Sequence, residues 1–217
     1  MLTVALANGR LLPEIGALLH RAQMPPLEQT GERRLLLLAR AGGLTVRYLL
    51  ARPADVTLYV GSGVAELGVT GSDMLAEEDH GCRELASLGI GHCRLSVCGP
   101  AALSPEWPRL LRLGDRLRVG TRYPAVAKQY FTRLGVTPAI IALSGSVELA
   151  PLTGLADVIV DLVATGRTLR ENDLVEYALI QRVSARLIAA EAGRCRGTAA
   201  VFVDRLRRGT DRRTSSE

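Results

Sequence analysis

Lysine is almost missing from this chain. Lys128 is the only one, so nearly all of the 27 lysine and arginine positions are arginine, and the formal net charge is +5. Arginine grips phosphate by paired hydrogen bonds and keeps its charge when partly buried, so the bias suits small phosphorylated ligands. Aromatic residues make up only 4%. No helix pattern interleaves basic with stacking residues, which argues against a nucleic-acid surface. No apolar run reaches the roughly 18 to 20 residues that a membrane span needs. The opening LTVALAN lacks a preceding basic region and reads as a first strand rather than a signal peptide, so a soluble cytoplasmic protein is expected. Cys82, Cys93, Cys98 and Cys195 form no Cys-x-x-Cys, and with His80 and His92 they match no usual zinc ligand spacing. Thiols in a reducing compartment are the better reading.

With 217 residues, 47% of them hydrophobic, the chain can build a sizeable core as one large domain or two small lobes. The most informative stretch is DVIVDLVATGRTLREN, residues 157–172. Residues 157–163 read as a buried strand, followed by a turn of small residues and a helix start over 168–172. At such a junction main-chain N–H groups lack partners and the helix dipole adds partial positive charge, so a phosphate is held without any lysine. Gly166 lets the main chain approach a ligand, and the hydroxyls of Thr165 and Thr168 donate to phosphate oxygens. Asp161, four residues before Thr165, suits the hydroxyls of a sugar or a magnesium ion bridging them. The plainer alternative is an ordinary strand-to-helix connection with threonine as the N-cap.

Strand and helix patterns alternate along the rest of the chain at α/β spacing. Residues 1–7 read as a strand that turns at Asn8-Gly9-Arg10 into a helix reaching about residue 22. After a Pro-rich loop, Arg33 and Arg34 precede strands 35–39 and 44–51, joined in hairpin style by Gly42-Gly43. Arg52 ends the second strand, just before a helix over 55–60. A short strand, 67–70, leads to a helix that Ser72 or Asp73 would cap. Further strands are expected at 92–98, 116–120, 139–143 and 175–180, with a helix at 125–134. Trp107 reads as a packing residue. The final amphipathic helix, 198–208, carries Ala199, Phe202, Val203 and Leu206 on one side. Its arginines, Arg205, Arg207, Arg208, Arg212 and Arg213, read as a solvated helix end and tail.

Taken with SGSVELAPLTGLAD upstream, residues 144–157, the central stretch resembles the phosphoribosyl pyrophosphate (PRPP) motif of the ATP phosphoribosyltransferase family. Other matches run from Ala5 to Leu187 in order. They include Gly9-Arg10, the segment YVGSGVAELGVTGSDMLAEE, Tyr123-Pro124 and residues 144–151. Asn8 and Glu66 depart from the lysine and aspartate common in the family. Type I phosphoribosyltransferases differ, usually carrying two adjacent acids where this chain has Val160 followed by Asp161.

The resemblance implies an α/β fold of two lobes with periplasmic-binding-protein type II-like architecture and an interlobe cleft. Residues 1–91 with 175–217 would form lobe I, and 92–174 lobe II with the PRPP motif, the crossings near Gly91 and Asn172 acting as hinges. The implied reaction is attack by N1 of the ATP adenine on PRPP, releasing pyrophosphate at the first step of histidine biosynthesis. Ala164, Thr165, Gly166, Arg167, Thr168 and Leu169 would hold the 5-phosphate, and Asp161 the ribose hydroxyls. Arg52 and Arg33 (or its neighbour Arg34) would approach the pyrophosphate, with Mg2+ brought by the substrate. Arg10, Thr70, Gly71, Tyr123 and Glu148 would face ATP. A homo-oligomer is implied, and the length suits the short form, which works with a regulatory subunit similar to a histidyl-tRNA synthetase. A solute-binding protein and another PRPP-dependent transferase are the alternatives.

Overall fold

A computed structural model describes residues 1–27, 35–78, 80–193 and 196–214, of which the side chains of 211–214 are excepted. The chain divides into two compact units, Met1–Gly91 with Ser184–Glu217, and His92–Val183.

The first unit is built on β1 (Leu2–Ala7), every residue of which is buried. A strand covered on both faces reads as an unbroken apolar run, as LTVALA does. It lies parallel to β3 (Leu44–Ala51) and β4 (Leu67–Gly71). β2 (Leu36–Ala41) returns antiparallel to β3 through Gly42 and Gly43 at φ 55° and 76°. Two successive left-handed residues match the twist of a two-residue hairpin. β11 (Ala185–Ala190) runs antiparallel to β4 and to β5 (Cys82–Ser87), giving the order β2-β3-β1-β4-β11-β5. Helices α1 (Leu12–Arg21), α2 (Pro53–Gly61), α3 (Ser72–Glu77) and α8 (Thr198–Thr214) complete this unit. Leu12, Ile15, Leu18 and Leu19 of α1 and Phe202, Val203 and Leu206 of α8 enter one core with the sheet. Tyr48 is fully buried there, and its hydroxyl donates to Pro25 O at 2.7 Å. Burial raises its pKa further above the ordinary tyrosine value.

The second unit has the sheet order β10-β6-β9-β7-β8. β7 (Arg118–Thr121) lies parallel to β8 (Ala139–Ala142) and β9 (Val158–Val163), while β6 (Cys93–Pro100) is antiparallel to β9 and to β10 (Leu174–Val183). Between β6 and β7 lie two 3-10 segments and the single turn α4 (Trp107–Leu110), where Trp107 packs 5.4 Å from the Tyr177 ring and edge-on to Phe131. α5 (Pro124–Arg133), α6 (Leu149–Leu152) and α7 (Arg167–Glu171) follow β7, β8 and β9 respectively.

Three sequence expectations need correction. The unit boundary falls after Val183, not near Asn172, because β10 pairs with β6 along its whole length. Ser72 and Asp73 do not cap α3: Gly71 is its N-cap, and Ser72 instead exchanges main-chain and side-chain bonds with Ser184. Nor are Arg205 and Arg207 merely solvated; the side chains of Arg212 and Arg213 lie outside the described residues. Arg205 donates to Gly42 O at 3.1 Å and Arg207 to Leu85 O at 2.5 Å, tying α8 to two parts of its own unit.

Candidate functional site

β9 delivers the chain to the central turn. Val158, Ile159 and Val160 are fully buried, and their β-branched side chains pack on both faces of the sheet. Asp161 interrupts this run and is half-buried. After Val163 come the exposed Ala164 and Thr165, then Gly166 at φ 70° and ψ 10°. A left-handed residue here turns the strand directly into α7, and glycine does so without a Cβ penalty. Arg167 N donates to Thr165 Oγ1 at 3.4 Å, and the Arg170 guanidinium reaches Thr165 O at 3.0 Å. Leu169 anchors the turn in a core with Val163, Ile159 and Leu174. Thr165, Arg167 and Thr168 stay exposed. The turn thus offers hydroxyls and first-turn N–H groups, a set of donors that holds an oxyanion. The helix starts one residue earlier than the sequence suggests and has only five residues. Its macrodipole is therefore short, which leaves the individual donors as the main source of positive potential at the turn.

Tyr123 and Glu148 lie in the same unit. Thr121, which the sequence reading passed over, donates its hydroxyl to Val160 O at 2.7 Å and accepts Tyr123 N at 2.9 Å. That ties the backbone of Tyr123 beside the residue preceding Asp161, while the tyrosine ring itself is buried at 3% exposure. A threonine next to a strand end is a common enough feature that only the fold reveals its use. Glu148 is half-buried at the N-cap of α6. Arg118 secures the start of β9: its guanidinium meets Asp157 at 2.7 Å and its main-chain N–H meets the same carboxylate at 2.8 Å. Partial burial pushes the Asp157 carboxyl up, but these Arg118 hydrogen bonds outweigh it and hold the group below the usual carboxylate range.

The remaining candidates belong to the first unit. Arg10 follows β1 and Arg52 follows β3, both exposed. Thr70 and Gly71 end β4, but Thr70 is fully buried and its hydroxyl donates to Pro53 O at 3.1 Å. The half of this pair open to a ligand is main chain. A Cβ at Gly71 would lie 1.9 Å from Oδ1 of the buried Asp73, so that side chain would have to shift to admit one. Arg33 and Arg34 lie outside the described residues.

A common position links the described candidates. Tyr123, Glu148 and the 164–169 turn follow the carboxyl ends of the parallel strands β7, β8 and β9, and Arg10, Arg52 and Thr70-Gly71 stand at the carboxyl ends of β1, β3 and β4. In each unit taken by itself, that edge of the sheet is where α/β proteins place their ligands.

A family profile described as ATP phosphoribosyltransferase matches residues 52–208. The ATP phosphoribosyltransferase of Geobacillus kaustophilus is 46% identical over 195 residues, covering 88% of this chain and 89% of its own. That of Moorella thermoacetica is 46% identical over 192 residues, covering 87% and 83%. Among solved structures, an ATP phosphoribosyl transferase (HisG:HisZ) complex from Thermotoga maritima aligns with a TM-score of 0.76 at 28% identity, covering 98% of this chain and 100% of that one. An ancestral amino-acid-binding protein aligns with a TM-score of 0.63 at 8% identity, covering 99% and 89%. At that identity the likeness speaks of fold alone, which is of the type II periplasmic-binding-protein-like class.

Proposed function

Because the chain belongs to the ATP phosphoribosyltransferase family, we infer that its second unit holds PRPP at the β9–α7 turn while strand ends of both units serve ATP and the leaving group. The family reaction is the first step of histidine biosynthesis: N1 of the ATP adenine displaces pyrophosphate from PRPP to give N1-(5-phosphoribosyl)-ATP. The N1 lone pair forms the new bond to the anomeric carbon, and the electron pair of the broken C–O bond leaves with pyrophosphate. A ring nitrogen is already a usable nucleophile, so the residues need to position the substrates and stabilise charge rather than supply a strong base.

In this reading Ala164 to Leu169 hold the 5-phosphate through main-chain N–H groups and the Thr165 and Thr168 hydroxyls. Asp161 accepts from the ribose hydroxyls. Arg52 and Arg33 meet the departing pyrophosphate, and Arg10, Gly71, the main chain of Thr70, Tyr123 and Glu148 face ATP. The observation that carries this is the shared strand-end position of the described candidates. Among the described residues no group of three or more His, Cys, Asp or Glu is placed to hold a metal. Magnesium is expected to arrive with the substrate, since that ion keeps waters and phosphate oxygens and needs few protein ligands. Its contribution is to neutralise the pyrophosphate charge.

The Thermotoga maritima chain was solved as a HisG:HisZ complex, and the likeness to it supports a hetero-oligomer with a regulatory subunit; that subunit is expected to be similar to a histidyl-tRNA synthetase, and this chain to form a homo-oligomer. The expected result is that this chain, purified alone, shows no histidine response; strong inhibition of it alone contradicts that reading. Among the described residues no helix is long and apolar enough to cross a membrane, and a cytoplasmic place suits the substrates. The decisive assay follows absorbance near the phosphoribosyl-ATP band with ATP, PRPP, magnesium and inorganic pyrophosphatase. Signal growth should require both substrates and fall sharply in Asp161→Ala, whereas full turnover in that variant removes Asp161 from the site.

A further inference from the structure

We propose that Arg122 is a further substrate-binding residue of the second unit, gripping an oligophosphate chain, that of ATP or the pyrophosphate of PRPP, at the end of β7. This rests on the assignment of ATP and PRPP to that edge. β7 lies between β9 and β8 and runs parallel to both. The chain passes from β7 through α5 to β8 on one side, then through α6 to β9 on the other. Crossovers between parallel strands are right-handed, so these two leave their helices on opposite faces of the sheet. The loops after β7 and β8 therefore part, and a crevice opens in front of the strand ends, at the point where such sheets take ligands.

Arg122 is the first residue beyond β7. The register that pairs Gly120 with Ile159 and Thr121 with Val160 continues to Arg122 beside Asp161, one strand spacing of about 4.8 Å away. Side chains alternate across a strand, and Thr121 and Tyr123 are buried while Arg122 is exposed. Its neighbouring arginines are engaged. Arg118 meets Asp157, Arg167 meets Glu171 at 2.7 Å and Arg170 donates to Thr165 O. Arg122 has no hydrogen-bond or ion-pair partner among the described residues. Next to it, the Ser144-Gly145-Ser146 turn after β8 is exposed, and a Cβ on Gly145 would meet no atom within 4 Å. Asp161 on β9 and Glu148 after β8 are acids, which repel a phosphate chain. A cation on the strand between them offsets that repulsion, and a guanidinium adds paired hydrogen bonds to phosphate oxygens.

Two variants test this. Arg122→Met removes the charge and keeps most of the stem, and Arg122→Lys keeps the charge without the fork. Calorimetry of the full chain with inorganic pyrophosphate, ATP and PRPP reads the anion and each substrate in turn. Arg122→Met should bind pyrophosphate about tenfold or more weakly, the worth of a hydrogen bond to a charged group. Its melting temperature should stay that of the wild type, because the side chain holds nothing else in place. Arg122→Lys should recover part of the loss. A matching loss for ATP assigns the residue to the triphosphate, and one for PRPP assigns it to the pyrophosphate of that substrate. The proposal is overturned if Arg122→Met binds all three within about twofold of the wild type, or if its melting temperature falls along with the affinities, which marks a structural role. Wild-type turnover separates the two readings. No turnover with ATP and PRPP overturns the assignment of this edge and this inference together; normal turnover in both wild type and Arg122→Met overturns this inference alone.

Discussion

Replacing Gly166 with alanine tests the central turn most directly. The residue sits at φ 70° and ψ 10°, where a Cβ costs about 1–2 kcal/mol. Space is not the obstacle. A Cβ there would lie 3.2 Å from Arg170 Nη1 and 3.8 Å from Val163 Cγ1, and the nearer atom is the tip of a flexible, exposed side chain. The substitution therefore confronts chiefly the backbone, with a small shift of the Arg170 guanidinium that donates to Thr165 O, and has two outcomes. If the turn keeps its form, the whole cost falls on folding, and each 1 kcal/mol lowers the melting temperature of a chain this size by about 2–4 °C. If the turn relaxes, the N–H groups of 167–169 swing off the position proposed for the phosphate and the cost falls on binding, about five- to thirtyfold in PRPP affinity. Thermal melting and PRPP calorimetry on the same preparation should together account for about 1–2 kcal/mol. ATP affinity should be unchanged. Gly166→Asn serves as the control, because asparagine tolerates the left-handed region and should lose less. An alanine variant that matches the wild type in both measurements would refute the view that this turn needs its left-handed residue.

Tyr48→Phe removes the donor to the Pro25 carbonyl inside the first core. Leaving that acceptor unpaired should cost about 1–3 kcal/mol in urea unfolding, with PRPP affinity untouched. Gly61→Ala places a Cβ 2.0 Å from His80 O, a main-chain atom that cannot step aside. Overpacking of that kind should cost about 1–3 kcal/mol in the same assay, and an unchanged urea midpoint would mean that the 80–82 segment yields freely. Asp157 and Glu176 titrate below the usual carboxylate range, Asp157 because Arg118 outweighs partial burial and Glu176 chiefly through Arg94. A depressed folded pKa adds stability that is fully present above the unfolded value, near about 4, and is lost as pH falls through the folded one. The urea midpoint should thus drop on acidification below about pH 4, and Asp157→Asn with Glu176→Gln should flatten that drop.

The turn after β9 was legible from the chain because its cues are local: an apolar run, a glycine and two hydroxyls within a few residues. The hairpin at Gly42-Gly43 and the short strand before Gly71 were legible for the same reason. β5 and β11 were not. CRELAS shows no alternation of exposed and buried positions, and ARLIAA follows β10 with Ser184 alone between them. The run therefore hides the point where the chain changes unit. The use of Thr121 was equally hidden, because it depends on which strand lies beside which. Thr70 looked like a ligand contact on the family pattern, yet its hydroxyl is turned to Pro53.

The placement of β11 also sets an order of assembly. The second unit is one uninterrupted stretch, His92–Val183, and all its strands pair among themselves. It can close as soon as β10 has been made. The first unit cannot: β5 reaches its sheet only through β11, a strand translated about a hundred residues later, and the core still lacks α8 at that stage. During synthesis the amino-terminal strands must wait, with β4 presenting an unpaired edge, while the inserted unit matures. The finished molecule covers that edge with β11, the last strand among the described residues, which protects a surface otherwise open to pairing with other chains.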